Sequence, residues 1–351
     1  MFTACLKRNR RKEATAETAL MQNVEKNGAM LLKEVIASSY GKCCPIRCFF
    51  VEELKKAKDI CDRGHAFKKD GFHALFKGSL QGRPICIKEY SPDANISSVI
   101  NDIVIGSWMS INKNVLKLLG CCLETEIPIL VFDFAEIKGT LGLCLYGSHE
   151  PEWQPLPWKC RLRVAVDVAT AVAYLHTALP TPIIHRDINL ENIILDQSNS
   201  AKLYNFSLSV SIPEGETQVK VDVVSRTYGF MAPEHITTCF LTEKADVYSF
   251  GMLLLVLLTG QKDVWRKIDW NIDDLDEVSN PAKYFVENNR LSESVDPVVL
   301  REAAGRPGME QQLQDFATVA LRCINLTVED RPTMIDAAKQ LMQIEQSTLA
   351  Q

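Results

Sequence analysis

The stretch from Ile184 to Leu195 reads IHRDINLENIIL and constrains this chain more than any other. It sets His185, Arg186 and Asp187 together and follows them, five residues after the aspartate, with Asn192. Its surroundings are as specific as its spacing. Before it, RLRVAVDVATAVAYLHTAL places Leu162, Ala165, Val168, Ala169, Val172 and Leu175 on one face of a helix, which Pro180 and Pro182 end. After it, NIILD and AKLYN read as two short strands joined by the turn QSNS. The fold must therefore hold a polar loop between a long helix and a hairpin.

The rest of the chain sorts around this centre. ALFKGSL, PICIKEY and PILVFDF are short, apolar and bounded by turn residues, which predicts strands. ISSVINDIVIGSWM, between the last two, has helical spacing. From residue 157 onward the chain is mainly helical. Its longest apolar run, FGMLLLVLLTG from Phe250 to Gly260, is too short to span a bilayer and reads as a buried core helix. Residues 21–60 suggest two short helical pieces, AMLLKEVIA and VEELKKAKDI, with SSYGKCCPIRCF as a loop between them. Residues 1 to about 20 are polar and carry Lys7, Arg8, Arg10, Arg11 and Lys12. They are expected to form a disordered, solvated leader, the alternative role being contact with an anionic membrane. Phe2 stands where N-myristoylation needs glycine.

With 351 residues, 46% of them hydrophobic, the chain can build two lobes around a sizeable core. A net charge of -5 gives no electrostatic reason to expect nucleic acid as the main partner. The 12 cysteines show no zinc-ribbon spacing, and Cys43 and Cys44 lack further ligands. Buried, reduced thiols in a cytosolic protein are expected. With no secretory signal and no transmembrane segment, no ectodomain is expected.

Further elements stand in order around the HRDxxxxN spacing, which fits the catalytic loop of protein kinases. Lys88 ends ICIK, the place of the strand lysine that contacts nucleotide phosphates. MAPEH supplies Ala232, Pro233 and Glu234, and DVYSFG runs from Asp246 to Gly251. EDRP supplies Arg331, which in kinases pairs with the glutamate of the APE element. LKLLGCCLE, VAYLHTA, YGFMAPE, DVYSFGMLLLVLLTG and RCINLTVEDRP resemble plant receptor-like kinases of the wall-associated group, over about residues 45–345. NDIV and YNFSLSVSIPEG resemble a narrower family, the plant ZED-related (ZRK) receptor-like cytoplasmic pseudokinases. The resemblance implies an α+β, bilobal protein-kinase-like fold: a small strand-rich N-lobe with one main helix, then a larger helical C-lobe. The expected divisions are a basic leader and helical extension over 1–50, a kinase-like domain over 51–345 with lobes 51–135 and 136–345, and a tail over 346–351.

Phosphoryl transfer is mostly positioning and charge stabilisation, so its parts can be checked one by one. Counting back from Phe76, Lys77 and Gly78, the three glycine-loop positions fall at Lys68, Asp70 and His73, unless a gap moves the register. Side chains there obstruct the approach of backbone N–H groups to phosphates, and Asp70 adds negative charge. Lys88 is retained. Asp102 is either its helix partner, one methylene shorter than the usual glutamate so that the pair is long or absent, or a solvated helix-face carboxylate. At the DFG position stand Asn205, Phe206 and Ser207. Asn205 offers magnesium one neutral oxygen in place of a carboxylate, and losing one such preorganised group typically costs about 10²–10³ in rate. Ser207 restricts a backbone position where glycine is usual. Asp187, at the base position, and Asn192, a second metal-ligand position, remain, while Asn189 replaces the lysine normally found two residues after the aspartate. Arg186 and Asp187 then serve structure, as Glu234 and Arg331 do.

The expected function is binding. The resemblance implies an adaptor or decoy in plant effector-triggered immunity, with one lobe docked on the leucine-rich repeat of a coiled-coil NLR receptor. Its activation segment would meet receptor-like cytoplasmic kinases or bacterial effectors, or be modified at Ser209, Ser211, Thr217, Ser225 or Thr227. No cofactor is expected, with ATP and magnesium binding weak or absent, and the location is the cytoplasm, with peripheral plasma-membrane contact through the basic leader. The alternatives are a weakly active Ser/Thr kinase using Lys88, Asp187 and Asn192, and a scaffold stabilised by nucleotide.

Overall fold

The computed structural model describes residues 2–38, 46–60, 66–133, 137–147, 154–222, 229–262 and 295–347. They form two compact units: residues 1–111 with 116–136, and residues 112–115 with 137–351.

The first unit is built on a six-stranded sheet in the order β1-β5-β6-β4-β3-β2. Its strands are β1 (Arg47–Cys48), β2 (Ala66–Lys69), β3 (His73–Leu80), β4 (Arg83–Tyr90), β5 (Leu118–Cys122) and β6 (Ile129–Asp133). The short parallel edge strand β1 lies so close to β5 that a Cβ on Gly120 would overlap the Arg47 carbonyl. Helix α2 (Val51–Ile60) covers one face through Val51, Leu54 and Ala57, packed with Ile85, Ile87, Ile129 and Val131. The Glu124 carboxylate accepts the first N–H of α2, from Val51 at 2.7 Å. Helix α3 (Ile96–Met109), capped by Asn95, is apolar on most sides and lies between the sheet and a long helix α1 (Phe2–Ser38).

The expected disordered leader is instead part of α1, which begins at Phe2. No proline interrupts residues 2–38, Gly28 is their only glycine, and they are rich in Ala, Leu, Lys, Arg and Glu, so propensity favours one continuous helix. Tertiary contacts hold its middle. Buried Asn27 donates to the carbonyls of Leu123 and Thr125 at 3.0 and 2.9 Å, and Asn23 donates to Glu124 O at 2.9 Å. The piece AMLLKEVIA is thus the end of a longer element. The loop cysteines Cys43 and Cys44 lie outside the described residues.

The second unit is helical, with a three-stranded sheet of β7 (Ile137–Thr140), β9 (Ile193–Asp196) and β10 (Ala201–Leu203). Helix α5 (Trp158–Thr177) follows the short α4 (Leu141–Tyr146) and delivers the chain to the loop after β8 (Ile183–Ile184). The apolar run Phe250–Gly260 belongs to α7 (Lys244–Thr259), which is buried almost throughout and ends on Gly260 at φ +65°. After α8 (Pro297–Ala303), α9 (Met309–Cys323) packs on α7 and α10 (Met334–Ser347) on α5. Among the described residues the cysteines are free thiols.

Replacing Asn27 by alanine strands one buried and one half-buried carbonyl, so it should cost about 1–3 kcal/mol. Urea denaturation would measure the loss, and hydrogen exchange should place it in α1.

Candidate functional site

In the first unit the cross-strand register gathers the nucleotide-side residues on one sheet face. Lys68 pairs with Leu75 and Leu75 with Lys88, while His73 pairs with Tyr90. Asp70 occupies the turn between β2 and β3. Its Oδ1 accepts the backbone N–H groups of Phe72 and His73, both at 2.8 Å. A glycine loop would offer such N–H groups to phosphate; here a side chain has already taken them. Lys68 Nζ, nearly buried, lies 3.5 Å from Asp70 Oδ2 and 3.4 Å from His73 Nε2.

Lys88 has no exposed surface and meets Asp102 Oδ2 at 2.8 Å. The shorter carboxylate therefore does not lengthen the pair. The apolar faces of α3 seat it deeply, so that Asp102 is buried against the sheet rather than solvated. Tyr90 OH donates to the same oxygen at 2.6 Å, and Lys88 Nζ stands 4.5 Å from the Tyr90 ring centroid. The sequence reading missed Tyr90, although strand alternation puts it on the face of Lys88. Burial pushes the neighbouring Cys86 thiol up to about 12, so it stays protonated.

In the second unit Asp246, in the first turn of α7, accepts from His185 N at 2.7 Å and Arg186 N at 2.9 Å, and pairs with His176 Nε2 at 2.9 Å. Burial alone would raise its pKa, but the His176 hydrogen bond and the neighbouring histidines hold it below the usual value. Arg186 is thereby kept at φ +68°. The loop then turns so that both carboxylate oxygens of Asp187 accept amide protons: Oδ1 from Asn189 Nδ2 at 2.8 Å and Oδ2 from Asn192 Nδ2 at 2.7 Å. Asn192 Oδ1 accepts from Asn205 Nδ2 at 3.1 Å, and Asn205 Oδ1 accepts from Ser207 Oγ at 3.0 Å. Ser207, at a position where glycine is usual, does not have positive φ; Asn205 does, at +71°, and asparagine tolerates it.

These side chains offer a divalent cation one charged group. A hard divalent cation needs charged oxygens free to coordinate. Here one carboxylate remains, hydrogen-bonded on both oxygens, and the two amide oxygens are also engaged. Among the described residues no cluster of three or more His, Cys, Asp or Glu could hold a metal ion.

The activation segment leaves this loop through β11 (Val210–Ser211), paired with β8, and β12 (Val219–Lys220), paired with β13 (Phe240–Leu241). Ser209 is buried, whereas Ser211 and Thr217 are exposed; Ser225 and Thr227 lie outside the described residues. Arg186 reaches Leu208 O at 3.2 Å, Asp222 O at 3.0 Å and His235 Nε2 at 3.1 Å. His235, in the short helix α6 (Pro233–Thr237), is a second residue the sequence reading missed, and its only signal was its place after Glu234. Glu234 receives Arg331 on both oxygens, at 2.6 and 2.9 Å, and Arg331 is buried.

The family model for protein tyrosine and serine/threonine kinases matches residues 72–341. Among the relatives, the Arabidopsis thaliana protein named serine/threonine-protein kinase ZRK1 is 38% identical, over 92% of this chain and 92% of its own. The Arabidopsis non-functional pseudokinase ZED1 is 39% identical, over 91% and 95% respectively. Arabidopsis wall-associated receptor kinase 4 is 35% identical over 93% of this chain but only 43% of its own length.

Burial first, then the charge of Arg186, push the His235 imidazole down from 6.5 to about 4, against the smaller opposing pull of Glu234 and Asp246. The unfolded chain then binds more protons than the folded one between those values. Stability should fall as pH drops from 6.5 towards 4 and stay flat above, with His235 contributing roughly 2–3 kcal/mol. Thermal melts against pH should show a shallower decline for His235→Gln, which keeps an acceptor for Arg186.

Proposed function

The chain belongs to the protein tyrosine and serine/threonine kinase family and, within it, to the ZED-related (ZRK) group, and we propose that it acts by binding, as a catalytically impaired pseudokinase. In this reading it is an adaptor or decoy in plant effector-triggered immunity. It couples the action of a bacterial effector on receptor-like cytoplasmic kinases to a coiled-coil NLR receptor. One observation carries the reading: the groups that should receive phosphate and metal are engaged by the protein's own side chains. Asp70 holds the loop N–H groups, and amides fill the hydrogen bonds around Asp187. ATP and magnesium binding are then weak or absent.

A docking face supports the same reading. Met21, Val24, Leu32 and Ile36 lie along one side of α1 and are exposed, Met21 and Ile36 to more than 60%. An exposed apolar stripe on a surface helix suits a protein contact. We assign it to the leucine-rich-repeat surface of the NLR. The exposed hydroxyls Ser211 and Thr217, with Ser209, Ser225 and Thr227 in the same segment, are the candidates for effector modification. No described helix is long and apolar enough to cross a membrane. The cytoplasm is the proposed location, with peripheral plasma-membrane contact through the basic residues near the start of α1.

The second reading, a weak Ser/Thr kinase, draws on the retained Lys88–Asp102 pair and on Asp187 and Asn192. Phosphotransfer from ATP that vanishes in Asp187→Ala would favour it over the binding reading.

Co-expression with coiled-coil NLR receptors should recover a complex from the wild type. The double variant L32E/I36E should lose it, by at least about tenfold in affinity, with an unchanged melting temperature. ATP with magnesium should not shift that temperature. A shift, or recovery of the complex by the double variant, would count against this reading.

A further inference from the structure

The metal position differs from an active kinase by more than one missing carboxylate. Its hydrogen bonds run in a single direction. Ser207 Oγ donates to Asn205, Asn205 Nδ2 donates to Asn192, and Asn192 Nδ2 donates to Asp187, with Asn189 Nδ2 closing the other carboxylate oxygen. All five residues are buried. Each donor finds an acceptor, and the relay ends on one negative charge. Restoring aspartate at 205 would break it twice. A carboxylate has no N–H for Asn192 Oδ1, so two acceptors would face each other. A second buried charge would also stand one asparagine away from Asp187.

The segment that follows is held in the same manner. Arg186 takes carbonyls from both ends of it, Leu208 and Asp222, and leans on the imidazole of His235. An arginine here that waited for a phosphate would be satisfied only after modification; this one is already engaged. Ile212 N donates to Pro182 O and Val221 N to Cys239 O, both at 2.9 Å, fastening the segment between those points.

We propose that the amide relay of Asn189, Asn192, Asn205 and Ser207 on Asp187 replaces the divalent cation as the cross-link between the catalytic loop and the activation segment. With the Arg186–His235 clasp, it presents residues 206–222 in one conformation without metal, nucleotide or phosphorylation. This deepens the binding reading above, because a partner then meets a preset surface. Failure to recover the NLR complex sinks the binding reading alone, and an Asn205→Asp variant as stable as the wild type in EDTA sinks this proposal alone.

The test uses the full chain in EDTA and in magnesium chloride, with and without ATP, before and after phosphatase treatment. The wild type should melt at one temperature throughout, with unchanged amide exchange over 206–222. Asn205→Asp in EDTA should melt lower by about 2–4 °C and exchange at least about tenfold faster over that segment, and magnesium should return both towards the wild type. Stabilisation of the wild type by magnesium would overturn the proposal, as would phosphatase-sensitive exchange or an Asn205→Asp variant as stable as the wild type in EDTA. Should Asn205→Asp not fold, Ser207→Ala decides: a smaller loss that magnesium does not repair supports the relay, and no change in melting or exchange overturns it.

Discussion

Three donors converge on the fully buried carboxylate of Asp246: the imidazole of His176 and the N–H groups of His185 and Arg186. A charge so completely removed from water persists only when its lone pairs are used, and the start of α7 adds the positive end of a helix dipole. What this arrangement holds is backbone. It keeps Arg186 in a left-handed conformation that would otherwise cost about 1–3 kcal/mol. From that strained position the guanidinium reaches the activation segment, while the adjoining Asp187 is oriented towards Asn189 and Asn192. The loop, the segment and the Asn205 position all inherit their geometry from this one anchor.

Catalysis by preorganised dipoles needs groups that the fold leaves unsatisfied until substrate arrives. In both units of this protein several groups at the corresponding positions are hydrogen-bonded internally. In the first, Asp70 folds back on its own turn and Tyr90 shares the oxygen that binds Lys88. In the second, amides and a hydroxyl bond one another and the Asp187 carboxylate. These hydrogen bonds are mutually consistent, each donor meeting an acceptor.

Much of this was legible in the chain. The period of residues 158–177, the apolar run of α7 and the strands flanking Lys88 follow from patterning alone. The spacing around Asp187 and Asn192, and the departures at Asp70, Asn189 and Asn205, are visible as letters. What the letters do not carry is direction. That Asp70 turns its oxygen inward onto two N–H groups depends on the hairpin geometry of β2 and β3. The short Lys88–Asp102 contact depends on how deeply α3 sits, which no count of methylenes reveals. The leader was misread because its polar composition resembles a solvated tail. Its helix is anchored by Asn23 and Asn27, residues that are unremarkable until the carbonyls of Leu123, Glu124 and Thr125 stand beside them.

The buried pair of Lys88 and Asp102 bears on how such a chain can change over generations. A chain of this fold that did not transfer phosphate would have no chemical need for this lysine. Yet losing either partner alone leaves an uncompensated charge in the core, at a cost of about 3–5 kcal/mol, comparable to the whole stability of many domains. Both must be exchanged together, or the first change must be rescued by others already in place. The pair is thus a ratchet: it would outlast a loss of activity, because the path away from it runs through unfolded proteins. A lysine at this position therefore records the depth of its burial and does not by itself report catalysis.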